Sequence, residues 1–446
     1  MDNKYFGPSL KKEGFWSKMR KAPWFISFSS SIFTIILGLL AGFVLLIVVN
    51  PSNALSAFLQ LFIGGFYNAN SVATFIYSAA PILMTGLSIA FAFKTGLFNI
   101  GTPGQFAAGA FMALIGAIVW NCPWYINIFL ALLGGAVWGL IPGLCKAFFN
   151  VNEVLSAIML NWIAVILIDV AISNIDIMID PVYATRTVNL STVNPSAIIP
   201  GWGLENFDAG LNISIFIAIL FAIACWIIIN KTNFGFELKA CGSNKSASKY
   251  VGISDKRNIV LSFVIAGALA GVGGAFLYLA PTTTSGYALQ ISSLPEEGFT
   301  GISVGLLAAS NPIGCIFAAL FISYLDVAGE TLQQLRYAPE NVSFIIGIIV
   351  YFASFVALVR IWLEKVYQKD LFKFIGNGCI KLFKWMRNKC KILIGKCSDL
   401  IKKIKGKESV SKSENLDYTS GEEVKSAKKK NISKDKEKED KKEEDK

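Results

Sequence analysis

The chain of 446 residues contains no histidine, and only 16% of its residues are charged. Without imidazole there is no Ser-His-Asp triad, no His-ligated zinc or haem, and no imidazole proton relay. The eight cysteines, Cys122, Cys145, Cys225, Cys241, Cys315, Cys379, Cys390 and Cys397, form no CxxC pair and read as small hydrophobes rather than disulfides or metal ligands. Neither a Walker A pattern nor a nucleophile elbow occurs, so the chain itself is expected neither to hydrolyse ATP nor to build a covalent intermediate. No catalytic residue, metal site or cofactor is expected. A soluble domain would need roughly a quarter of its residues charged to cover its surface.

What is present is apolar: 54% hydrophobic residues, 34 Phe, 38 Gly and a mean hydropathy of +0.55. Uncharged stretches recur at the ~20 residues a helix needs to cross a bilayer. They lie at about 27–49, 72–93, 105–121, 124–146, 154–173, 211–230, 258–280 and 342–363. The first is too long for a removable signal peptide and lacks a small-residue cleavage site.

Of the 41 Lys and Arg, 39 fall before residue 27, at Lys94 and Lys146, between 231 and 257, or from Arg360 onward; Arg186 and Arg336 alone lie on the other side. This positive-inside bias explains the net charge of +11 without nucleic acid and predicts both termini in the cytoplasm, hence an even number of crossings. The stretch Phe299 to Leu325 must then enter and return to one side, as two short helices turning at Ser310, Asn311 and Pro312. The expected fold is an all-α polytopic membrane protein with about eight full transmembrane helices plus a broken helical hairpin, about ten passes.

The organisation follows. Residues 1–26 form a cytoplasmic segment and 27–363 the membrane domain. Residues 364–407 place apolar side chains at helical spacing between Lys and Arg, as a basic amphipathic helix on the anionic inner leaflet would. Residues 408–446 are nearly all charged or polar and are expected to be disordered. Two outer segments, 174–210 and 281–298, are either lids facing an external partner or connecting loops.

Three stretches carry candidate chemistry. The run Lys94 to Gln105, KTGLFNIGTPGQ, is either a helix interrupted at membrane depth, with Phe98, Asn99 and Gln105 facing a polar solute, or a plain cytoplasmic turn. In Asn150 to Trp162, Asn150 or Asn152 can cap a helix and Glu153 complements its dipole, or these residues line a path; the Asn161 amide needs a partner two turns into the membrane. The segment 232–257 holds Ser243 to Tyr250, a short helix with little bulk at Ser246, Ala247 and Ser248, closed by Gly252. It is suited to a groove of another protein, the alternative being an ordinary basic loop. The spacings Gly135, Gly139, Gly143 and Gly267, Gly271 predict close helix packing. Asp169 and Asp326, near span ends, read as interfacial; an ion-coupled carrier would need an ionisable group deeper in the membrane.

At four stretches the chain resembles permease subunits of bacterial ATP-binding-cassette importers, in the branch shared by ribose and branched-chain amino acid systems. It looks most like the nucleoside permeases that work with a basic-membrane-protein type lipoprotein. The matching residues are Gly96 to Gly101 with Gly104 and Gln105; Asn152, Glu153, Val154, Ser156 and Ile158 to Asn161; Gly242, Asn244, Ala247, Tyr250, Gly252 and Ile253; and Gly298, Phe299, Gly301, Ile302, Asn311 and Pro312. The resemblance spans about residues 70–360. It implies a translocation pathway near Phe98, Asn99, Gln105, Asn152, Glu153, Asn161 and Asn311, and coupling to the ATPase through Gly242, Asn244, Ala247, Ser248, Tyr250 and Gly252. Ser248 stands where the family usually has Ala, and the long charged C-terminus departs from its pattern. The implied partners are a second, different permease, cytoplasmic ATP-binding subunits and an extracellular substrate-binding lipoprotein. The alternative solutes are sugars such as ribose or branched-chain amino acids.

Overall fold

A computed structural model describes residues 23–182, 185–204, 211–281 and 294–368. All lie in the first of two units, apart from the end of the last helix; the expected surface helix and charged tail fall, from residue 369 on, outside the described residues. The elements in order are α1 Pro23–Val49, α2 Ala54–Ile63, α3 Ala69–Lys94, α4 Thr102–Ile118, α5 Trp124–Phe149, α6 Glu153–Ser173, α7 Leu190–Val193, α8 Ser214–Lys231, α9 Asn233–Ser243, α10 Lys245–Tyr250, α11 Asp255–Tyr278, α12 Glu296–Leu307, α13 Pro312–Glu330, α14 Pro339–Ala353 and α15 Val356–Gln368. Eight helical stretches are long and apolar enough to cross a membrane. The protein is an all-α polytopic membrane protein, and its described residues contain no β-strand beyond one isolated bridge between Ile179 and Thr187.

α3 is the central post. Its residues from Ala79 to Ala92 are buried without a break, and α11, α12 and α13 pack around it. Such an all-round apolar helix is buried all round because no face suits another environment. The closest crossing joins α5 and α11, where a methyl placed on Gly267 would stand 3.0 Å from the Gly139 Cα and one on Gly135 would meet the Gly267 carbonyl. The small-residue spacing legible in the sequence is therefore a backbone-to-backbone contact.

One expected span, 105–121, is the 17-residue helix α4, shorter than the eight crossing candidates, which take in Pro312–Leu335 instead. Four further departures have local causes. The short helix α2, absent from the sequence reading, returns the chain to the top of α3; the Tyr337 hydroxyl, shared between the Leu46 and Asn50 carbonyls at 3.2 and 3.1 Å, ties this corner to the turn before α14. The stretch 299–325 does break, with Ala309 and Ser310 left-handed at φ 50° and 55°, but its second half is long: Asn311 caps α13, Pro312 starts it, and it runs 19 residues. The expected span 342–363 divides at Ser354 and Phe355 into α14 and α15. Finally, the segment 174–204 folds back onto the bundle, burying Met178, Leu190, Ala197 and Ile199. Asn194 donates there to the Ala117 and Cys122 carbonyls at 2.8 and 3.1 Å, and the Ile199 N–H to the Leu279 carbonyl at 2.9 Å.

Candidate functional site

The chain does not leave α3 as a plain turn. Gly96 reverses it at φ +70°, and Leu97 to Gly101 climbs back alongside the helix it has just left. The Asn99 Nδ2 donates to Ser88 Oγ at 3.2 Å and to Gln105 Oε1 at 2.8 Å, while Gln105 Nε2 donates to Asn99 Oδ1 at 3.1 Å. Ser88 precedes Lys94 by about 9 Å along the helix axis, so α4 begins inside the bundle. Asn161 of α6 completes the knot: its Oδ1 accepts the Gly104 N–H at 3.0 Å and its Nδ2 donates to the Ile100 carbonyl at 2.9 Å. The first N–H groups of a helix have no acceptor within it, and Asn161 supplies one. Asn99, Gln105 and Asn161 are all buried. Of the two sequence readings, the geometry is that of the interrupted helix, with the freed polar groups taken up by neighbouring side chains and backbone.

At the basic end of the bundle, Thr232 caps α9 and Asn244 caps α10, its Oδ1 accepting the Ala247 N–H at 3.0 Å. Gly252, at φ +81°, stops the turn. The product is a small protruding knob on which Ala247 is exposed and Tyr250 and Val251 are 94% and 78% exposed. Ser248 faces inward instead, its hydroxyl donating to the Lys245 carbonyl at 2.9 Å. The knob is seated on the interrupted helix: Gly242 lies directly against Gly96 and the Lys94 carbonyl. One residue on, the Thr95 and Ser262 hydroxyls share a bond of 2.6 Å, joining this corner to α11.

A third feature was not legible as a site in the sequence. α12, like α4, begins at depth: the Thr85 hydroxyl of α3 donates to the Glu297 carbonyl at 2.9 Å, and Gly298 abuts Pro103. Thr85 lies about 13 Å along α3 from Lys94. From there a groove of about 900 Å³ runs between α12, α13 and α14. Phe299, Tyr351 and Phe355 give it aromatic surface, Thr300, Ser303, Ser343 and Gln333 give it hydroxyl and amide groups, and Glu296, Asp326 and Glu330 give it three exposed carboxylates. No Lys or Arg lines it, and none of the three acids forms an ion pair among the described residues. A charge held against hydrocarbon costs at least about 2.5 kcal/mol, so this wall belongs against water. A smaller polar recess bearing Asn70, Ser71 and Thr74 shares Glu330 and Gln333 with the groove and widens that end.

The family of branched-chain amino acid transport system permease components matches residues 71–354. The chain belongs to this permease family. Among similar proteins, the guanosine ABC transporter permease protein NupP of Bacillus subtilis (strain 168) is 35% identical over 345 residues, which cover 76% of this chain and 96% of NupP. The nucleoside ABC transporter permease protein NupB of Lactococcus lactis is 33% identical over 75% of this chain and 92% of its own. NupQ, a second guanosine permease protein of the same Bacillus strain, is 25% identical over 60% of this chain and 85% of its own. No solved structure matches. The permease is thus a multi-pass protein of the bacterial plasma membrane and a transport subunit.

The residues singled out in the permease sequence do not form one cluster. Asn99, Gln105 and Asn161 converge in the buried knot, with Phe98 beside it stacked on Phe93 at 5.4 Å. Asn152 caps α6, its Oδ1 accepting the Val154 N–H at 2.9 Å, and Glu153 pairs with Lys146 at 2.8 Å. Asn311 caps α13, accepting the Ile313 N–H at 3.1 Å. None of the seven lines the groove. The groove escaped the sequence reading because its three acids lie on two helices about 30 residues apart, and nothing local marks them as neighbours.

Proposed function

We propose that the permease forms half of the solute path of an ATP-binding-cassette importer for nucleosides. NupP and NupQ, two permeases named for guanosine in one organism, support a second and similar permease chain as its partner. The knob α9–α10 faces the cytoplasm and seats an ATP-binding subunit, with Asn244, Ala247, Tyr250 and Gly252 shaping its exposed surface, Ser248 its inner one and Gly242 its seat on the interrupted helix. An extracellular lipoprotein delivers the solute, and the basic segment 364–407 rests on inner-leaflet lipid.

One observation carries the mechanism: the knob sits backbone to backbone on the interrupted helix through Gly242 and Gly96. When ATP draws the cytoplasmic subunits together, the push reaches Gly96 without passing through a flexible side chain. From there it acts on the knot of Asn99, Gln105 and Asn161, and so on α3, α4 and α6 at mid-depth. Through Thr95 and Ser262 it also acts on α11. Rigid-body tilting of these helices against the partner permease opens the path to one side at a time. In this reading the amide knot and the caps Asn152 and Asn311 hold the walls of the path.

The test is to purify the permease with its co-expressed subunits and lipoprotein, reconstitute the complex, and measure which solutes stimulate ATP hydrolysis. Guanosine or other nucleosides should stimulate it several-fold. Stimulation by ribose or a branched-chain amino acid but not by nucleosides would overturn the solute assignment, and uptake driven by an ion gradient without ATP would overturn the importer reading itself.

A further inference from the structure

Resting on the nucleoside reading above, we infer that the groove between α12, α13 and α14 is the solute's track through this subunit, and that it recognises the ribose diol. The solute this surface fits is a neutral molecule with one flat apolar face and one edge rich in hydroxyl donors.

Three observations converge. The groove, at about 900 Å³, is large enough for a solute of nucleoside size with its water. It extends along the bundle rather than ending as a pit: Gln333 and Pro339 mark the end by the 331–338 turn, and Leu306 and Ser354 the end toward the 308–311 break. Its lining is also divided by chemistry. Phe299 and the Tyr351–Phe355 pair, with ring centroids 5.1 Å apart, offer faces for a base, while Glu296, Asp326 and Glu330 offer paired carboxyl oxygens.

The paired oxygens of the three carboxyls are the informative part. A carboxylate takes two hydrogen bonds side by side, which a vicinal diol supplies and a phosphate or a carboxylate solute cannot. Three carboxyls, with no Lys or Arg beside them among the described residues, make the same wall repel nucleotides and free amino acid carboxylates. Apolar and acidic residues share the lining faces of the helices: on α12 Glu296 is followed at i+3 by Phe299, and on α13 Ile322, Asp326 and Glu330 lie on one face at i, i+4 and i+8. Such a track has no single tight site, which suits a path that must release its cargo.

Two measurements on the complete reconstituted complex decide this. In the first, Ser343→Cys is exposed to a membrane-impermeant thiol reagent, with labelling read above that of the unmodified chain. A water-filled track gives labelling that saturating transported solute suppresses; a groove closed against lipid gives none, and that result overturns the inference. If the complex turns out to carry a sugar or an amino acid, the nucleoside reading falls but protection by that solute still tests the track. In the second, uptake of guanosine is compared with 2′,3′-dideoxyguanosine, each supplied on lipoprotein loaded to equal occupancy. The unmodified complex should favour guanosine by at least about tenfold, the low end of the worth of one hydrogen bond to a charged acceptor. Asp326→Asn with Glu330→Gln should reduce that preference to about twofold or less, whereas Glu340→Gln, outside the groove, should leave it unchanged. An unchanged preference in the double variant, with normal lipoprotein-stimulated ATP hydrolysis, overturns diol recognition.

Discussion

Gly96 and Gly242 meet backbone to backbone: a methyl built on Gly96 would stand 3.3 Å from the Gly242 Cα, and one on Gly242 would run into the Lys94 carbonyl. Neither residue has a side chain to yield, so a displacement of the knob is passed on rather than absorbed. Gly96 also holds φ +70°, which an L side chain tolerates poorly. The contact is thus a rigid joint between the surface offered to the ATPase and the helix break that begins α4.

Gly242→Val is therefore expected to uncouple the transporter. The variant should insert, bind the ATP-hydrolysing subunit and keep its basal hydrolysis. Stimulation by loaded lipoprotein should fall about tenfold or more, because the joint opens by the width of a side chain. Parallel assays of basal and stimulated hydrolysis in proteoliposomes check this, and equal loss of both would place Gly242 in folding instead.

On the knob itself, Ala247→Trp should abolish association with the ATP-binding subunit, since a bulky ring on an exposed, close-fitting helix blocks its groove. Ser248→Ala should bind normally and change stability by no more than about 1 kcal/mol, because that hydroxyl is satisfied within its own helix. Co-purification of the subunits distinguishes the two. Normal association of the Trp variant would mean that the ATPase docks elsewhere.

The amide knot predicts a stability effect. Asn161→Leu leaves the Gly104 N–H and Ile100 carbonyl unpaired in the interior and should cost about 2–5 kcal/mol, read as a lowered thermal midpoint of the purified complex. Asn152→Ala, which removes only a helix cap, should cost about 1 kcal/mol and leave uptake intact. A transport defect in the cap variant at unchanged stability would place Asn152 in contact with the solute.

Much of the architecture could be read from residue order because its causes are local or additive. Apolar length gave seven of the eight spans, Asn311-Pro312 gave the break after α12, and Gly135, Gly139 and Gly267 gave the crossing of α5 with α11. The short helix α2 was missed because it is apolar like its neighbours and no charge separates them. The groove and the knot depend on which helices touch: Asn161 finds Gly104 across 57 residues and Thr85 finds Glu297 across 212. A single sequence holds no signal for such pairings. It does show that an amide like Asn161 must find some partner, and that much was legible.

Asp169 offers the sharpest test between an ATP-driven importer and an ion-coupled carrier. It lies one turn from the end of α6, is 3% exposed, and neither carboxyl oxygen has a hydrogen-bond partner among the described residues. A buried, unbonded carboxyl opposes folding whichever way it is protonated, since the charged form lacks compensation and the neutral form lacks an acceptor for its proton. If the group has no part in transport, Asp169→Leu should raise the thermal midpoint of the complex, by the equivalent of about 1–3 kcal/mol, with uptake and stimulated ATP hydrolysis unchanged. If instead it carries a coupling proton, the same substitution should abolish uptake while the protein grows more stable, the signature of a residue kept for work rather than for structure. The importer reading requires the first result.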